Sequence, residues 1–301
     1  MKLACKYADV KEIHIPYKVD GITLDLKVPK KRPKIFLNSS ASQNRKRFTT
    51  AHELGHILIP WHVGNIIDIT SDAPRDGVYD DYWTIETEAN NFASELLMPT
   101  DWLRGFIKNN DDPEELTKMI CSKAGVSSVA ATIKLVNTLS AGFVYAQVDR
   151  DGTVATSGRT SGTVASSLPW GTSIDDPTKL FASAVRRFDF TIGSSRFFWW
   201  NFAHSIPLPR STRGEDWRTL LNTIVSDAGY DGDRAAALKR SVNGTIAYAN
   251  GRSQGADRNQ EAVYAACLQR FQSNTEMEKI RAHRLFKQFL GARIRALFDG
   301  K

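Results

Sequence analysis

RFTTAHELGHILIPWH, residues 47–62, decides how the rest of this chain is read. Phe48, Ala51, Leu54 or Gly55, and Leu58 recur at helical spacing, and Pro60 ends the helix or follows closely on its end. His52 and His56 are i and i+4, so one helix face presents both imidazoles, a geometry that suits two corners of a tetrahedral metal site. Glu53 lies about 100° round the helix. It is not placed to bind the same ion, but it can reach water at the metal as a general base. Gly55 is a poor helix former, which suggests close packing.

A catalytic zinc site takes three protein ligands and keeps one position open. His62 has the spacing of the third histidine in the extended HExxHxxGxxH motif, but Ile59 replaces the glycine that lets that chain turn back. His62 is therefore read as a surface residue, or one behind the ligands, beside Trp61, with ligation kept as an alternative. ETEANNFASELLM, 86–98, is a second strong helix stopped by Pro99. Glu86 and Asn90 project together from it: Glu86 as the third ligand, Asn90 as hydrogen-bond partner of a ligating histidine. Glu88 competes with Glu86, about 200° away on the same helix, so both cannot face one ion. The ExxAN arrangement resembles the second-helix motif of gluzincins.

Together RFTTAHELGH and ETEANNFASELLMP resemble the ImmA/IrrE family of metallopeptidases, over roughly residues 33–100. The resemblance implies an α+β, gluzincin-like peptidase core with a small sheet. In it His52, His56 and Glu86 would hold one Zn²⁺, with Mn²⁺ or another divalent metal possible, and Glu53 would be the acid/base. It also implies site-specific cleavage of a protein, a helix-turn-helix repressor, in a stress or mobile-element switch. PKIFLNSS, 33–40, matches the strand before the active-site helix, where an extended substrate can pair. Tyr79, Tyr82 and His204 are the candidate oxyanion stabilisers, each with a structural role as the alternative. The competing reading is a non-catalytic DNA- or protein-binding regulator that uses the core as a scaffold.

The remaining sequence sets the frame. The chain has 301 residues, 42% hydrophobic and 24% charged, as in an ordinary globular protein. No apolar run reaches the roughly 18 residues a spanning helix needs, and the N-terminus has no apolar leader segment. Three scattered cysteines argue against a disulfide framework and fit a reducing cytoplasm. A net charge of +7 favours acidic partners in general.

IHIPYKVDGITLDLKV, 13–28, reads as two short strands around a Val19-Asp20-Gly21 turn. Residues 111–139 form a helix-turn-helix pattern pivoting at Ala124–Ser127, but its second helix carries one basic residue, Lys134, so direct DNA binding is not favoured. Asp151-Gly152 marks a hairpin within 143–165. Arg196-Phe-Phe-Trp-Trp200 reads as core, with an aromatic recognition surface as the alternative, and EMEKIRAHRLFKQFLGARIRALF as one basic amphipathic helix docked on the protein, with partner or nucleic-acid contact as the alternative. The expected division is a peptidase core over 1–110, a helix-turn-helix segment over 111–140 and a C-terminal domain of unassigned role over 141–301, β-rich and then helical.

Overall fold

A computed structural model describes residues 2–16, 19–69, 80–210, 216–252, 258–272 and 277–300. The chain divides into two compact units, Met1–Thr138 and Leu139–Lys301.

In the first unit α1 (Ala4–Tyr7) leads into β1 (Asp9–Ile13), β2 (Val19–Leu26), β3 (Lys34–Asn38), α2 (Gln43–Leu58), β4 (Gly64–Ile69) and α3 (Asp80–Leu97). The sheet order is β1-β3-β2-β4, with β1 parallel to β3 and the other pairs antiparallel. Two expectations fail here. Asp20 and Gly21 are not a turn but lie inside β2, where Gly21 pairs with Leu37. The strand carried by PKIFLNSS is interior: β1 takes one side of β3 and β2 the other, so no backbone edge is left for a substrate.

Ser42 starts α2 by accepting a hydrogen bond from the Arg45 amide at 3.3 Å. The helix stops at Ile59, which is extended, as a residue before proline prefers. Every residue from Thr49 to Ile57 is buried, because α2 is packed between the sheet and α3. That sandwich explains Gly55. A Cβ there would lie 3.3 Å from the Cα of Ala89 and 3.1 Å from Cδ1 of Phe92, so the small residues on α2 and α3 set how closely the helices approach. Helix α3 begins six residues before the expected start at 86.

Three more helices complete this unit: α4 (Thr100–Ile107), α5 (Pro113–Ile120) and α6 (Ser128–Thr138). Asp112 caps α5 through the amides of Glu114 and Glu115, and a π-helical turn, Cys121–Gly125, leads to α6, with Gly125 at φ +62°. Lys134, the basic residue of α6, is buried. Its Nζ lies 2.7 Å from Glu95 Oε1 and 2.9 Å from Thr100 Oγ1.

The second unit begins with an antiparallel sheet, order β6-β5-β8-β7, from β5 (Phe143–Val148), β6 (Val154–Arg159), β7 (Ala184–Ile192) and β8 (Ser195–Phe202). The expected hairpin joins β5 to β6, with Gly152 at φ +77° and Asp149 Oδ1 accepting from the amides of Asp151 and Thr153. Phe197 to Trp200 are buried in β8. Helices α7 (Trp217–Asp227), α8 (Gly232–Arg252), α9 (Gln260–Gln272), α10 (Glu278–Ala282) and α11 (Phe286–Phe298) follow, with Ile224, Val242, Phe271, Phe289 and Ile294 among their shared core. The expected single C-terminal helix is broken. His283 turns extended, and its Nδ1 accepts the Leu285 amide at the start of α11. Its arginines serve the unit itself: Arg293 lies over the Trp217 ring and Arg295 donates to the Pro209 carbonyl. No single helix among the described residues is long and apolar enough to cross a membrane.

Candidate metal centre

Helix α2 delivers His52 and His56 to the face it turns toward α3, and α3 delivers Glu86 to meet them. The Nε2 atoms of the two histidines are 2.9 Å apart. Glu86 Oε2 lies 3.1 Å from His52 Nε2, and Glu86 Oε1 lies 3.6 Å from His56 Nε2. All three side chains are buried.

A divalent metal fits this set on its chemistry and spacing. Ligands about 2.0–2.1 Å from a tetrahedral Zn²⁺ are about 3.3 Å apart, within the observed range of separations. Glu86 Oε1 is buried without a hydrogen-bond partner, an expensive state for a carboxylate oxygen unless a cation faces it. The far side of His52 is held as well: its Nδ1 is 3.0 Å from Asn90 Oδ1, one turn beyond Glu86 on α3. Burial, followed by the neighbouring His52 and His62 rings, pushes the pKa of His56 down to about 3, so the ring stays neutral and able to ligate.

Residues 5–136 match the family described as Peptidase M78, the IrrE N-terminal-like domain. This part of the chain belongs to the ImmA/IrrE family. No curated protein matches the chain in sequence. An IrrE-like domain with a buried His-His-Glu set is a metallopeptidase-type domain with a site suited to a divalent metal.

The other residues singled out from the sequence are dispersed around or away from this centre. Glu53 is fully buried between α2 and β2, where Thr23 Oγ1 donates to its Oε2. His62 is not at the surface: it is fully buried behind His56, its Nδ1 2.8 Å from His56 Nδ1. Glu88 does not face the cluster either. It accepts from Trp61 Nε1 at 2.6 Å and lies 2.9 Å from His62 Nε2, and these donors hold its carboxyl below the usual carboxylate range. Tyr82 stands on α3 with its ring 5.6 Å from that of Trp83. Tyr79 lies outside the described residues. His204 is exposed in the second unit, beside Gly142.

Sequence reasoning missed Gly21 and Thr23. They are i and i+2 on β2, so they share the face turned to Glu53. A Cβ on Gly21 would overlap Glu53 Oε1 and lie 2.5 Å from Thr49 Cγ2. The available signal was a glycine inside an otherwise strand-like run, which marks a close approach as readily as a turn.

Proposed function

We propose that the IrrE-like domain is a zinc-dependent endopeptidase that cuts a protein substrate at a defined site. The substrate class its family resemblance suggests is a helix-turn-helix repressor, and the role is regulatory. The observation that carries the peptidase reading is the convergence of His52 Nε2, His56 Nε2 and Glu86, with Glu53 beside them in the same helix. His52, His56 and Glu86 would hold the metal. When bound, it would polarise the scissile carbonyl and acidify water.

The chain's own residues supply the rest. Glu53 takes the proton of the attacking water and passes it to the leaving amine. Thr23 fixes the Glu53 carboxylate by donating to Oε2, and Gly21 leaves room for that carboxylate against the strand. A cleft of about 490 Å³ is lined by Phe48, Met98, Val126 and Ile133 together with Asn90, Asn91 and Ser94, a size suited to a short stretch of substrate with apolar and polar groups. Helix α6 forms part of its wall, and Lys134 is committed to Glu95. Both features favour a substrate-holding role for the helix-turn-helix segment over a DNA-reading one.

The test is metal content by elemental analysis, together with the new protein N-termini generated in a cell lysate. Wild type should retain about one zinc per chain and generate discrete new N-termini. Glu86→Ala should lose the metal, while Glu53→Gln should keep it and generate none. Wild type that retains no metal after loading and buffer exchange, or Glu53→Gln that cuts like wild type, would refute the reading.

A further inference from the structure

One further histidine, His62, stands behind the metal position, paired with the candidate ligand His56. Both nitrogens of His62 are occupied: Nε2 lies 2.9 Å from Glu88 Oε2, and Nδ1 lies 2.8 Å from His56 Nδ1. It is therefore no ligand for the ion that His56 Nε2 would hold.

A metal taken by the Nε2 atoms of His52 and His56, 2.9 Å apart, would fix the protons along this chain. An ionised carboxylate can only accept, so the hydrogen between His62 and Glu88 belongs to His62 Nε2. A neutral His56 that gives its Nε2 lone pair to a metal carries its hydrogen at Nδ1, where it donates to His62 Nδ1, 2.8 Å away. His56 Nε2 is the atom facing Glu86. Trp61 Nε1 donates to the same Glu88 oxygen and holds the end of the chain in place. His62 is fully buried, whereas the Glu88 side chain is 34% exposed.

We propose that His62 and Glu88 are positioning residues: acting in series, they hold His56 as its Nδ1–H tautomer and turn its Nε2 lone pair to the metal, so a partly exposed carboxylate two rings away sets metal affinity. The inference rests on the metal-site reading above. Partners of ligating histidines change metal affinity by about 10–100-fold when removed. Here the partner is itself an imidazole, with the carboxylate one ring further out.

The experiment measures zinc affinity by chelator competition, and the His56–His62 hydrogen bond by imidazole ¹⁵N NMR of the full zinc-loaded chain. His62→Phe should weaken zinc binding by about 10–100-fold. Glu88→Ala should weaken it in the same direction. Glu88→Gln, whose amide oxygen still accepts from His62 Nε2, should recover most of the loss. Zinc-loaded wild type should show the His56 Nδ1 hydrogen bonded to His62 Nδ1, and His62→Phe should lose that bond. If His62→Phe does not fold, the Glu88 pair still decides, because that side chain is partly exposed. Zinc binding in Glu88→Ala and His62→Phe within about twofold of wild type, with Glu86→Ala defective, would overturn the inference and leave the metal site standing. A zinc-loaded wild type whose His56 Nδ1 hydrogen makes no bond to His62 would also overturn it. Tight zinc binding by Glu86→Ala would instead bring down the metal-site reading, and this inference with it.

Discussion

Replacing Gly21 by alanine adds one methyl group to the sheet face that meets the helix carrying Glu53. The added Cβ would overlap Glu53 Oε1 and lie 2.5 Å from Thr49 Cγ2. Neither neighbour can yield outward, because Glu53 and Thr49 are both buried. Overpacking of this kind costs about 1–3 kcal/mol. If Glu53 swings away, its bond from Thr23 is lost too, at about 1–3 kcal/mol for a buried group left unsatisfied. A combined loss of about 3 kcal/mol, at roughly 4 °C per kcal/mol for a domain of this size, lowers the melting temperature by about 12 °C. The assay is calorimetry of the metal-free protein, so that metal loss does not enter. In a Glu53→Ala background the same substitution should cost markedly less, since the main clash is gone. A Gly21→Ala protein within about 0.5 kcal/mol of wild type would refute the packing described here.

Three further outcomes are expected. Glu95 is depressed to about 2, first by its bond from Lys134 and then by Thr100. A depressed carboxyl contributes stability that is fully present above its ordinary 4.5 and is lost as pH falls through about 2. Glu95→Gln should therefore cost about 1 kcal/mol near neutral pH, discounted for a side chain that is 55% exposed, and almost nothing at about pH 2, as read from urea midpoints. Gly55→Ala should be near neutral, because a helix-propensity gain of about 1 kcal/mol offsets a tight contact with Ala89 and Phe92. Gly55→Val should separate α2 from α3 and weaken metal binding, measured by the same chelator competition. Burial pushes the Cys267 thiol up to about 12, so a thiol reagent should label exposed Cys5 at once and Cys267 only on unfolding.

What the sequence made legible was local. His52 and His56 are brought together by helical spacing alone, and Glu86 and Asn90 by the same spacing on one further helix. The Gly152 hairpin and the Asp112-Pro113 helix start are likewise encoded within a few residues. The failures are places where a distant contact decided. Asp20-Gly21 carries a turn signal, yet Gly21 is in mid-strand because Glu53 needs the space. The ligation argument against His62 turned on its local chain and did not reveal that His56 and Glu88 would bury the ring. β3 lost its expected role because β1, earlier in the chain, pairs along its second edge.

β2 gives the site a check on its own assembly. Gly21 and Thr23 reach Glu53 because strand side chains alternate between faces. A one-residue slip of β2 against β3 would withdraw both and present Ile22 instead, putting an alkyl group where Glu53 now finds space and a hydroxyl. Sheet alignment and the setting of Glu53 are thus a single event: a misthreaded copy of this domain would lack both the room and the hydroxyl that hold that carboxylate.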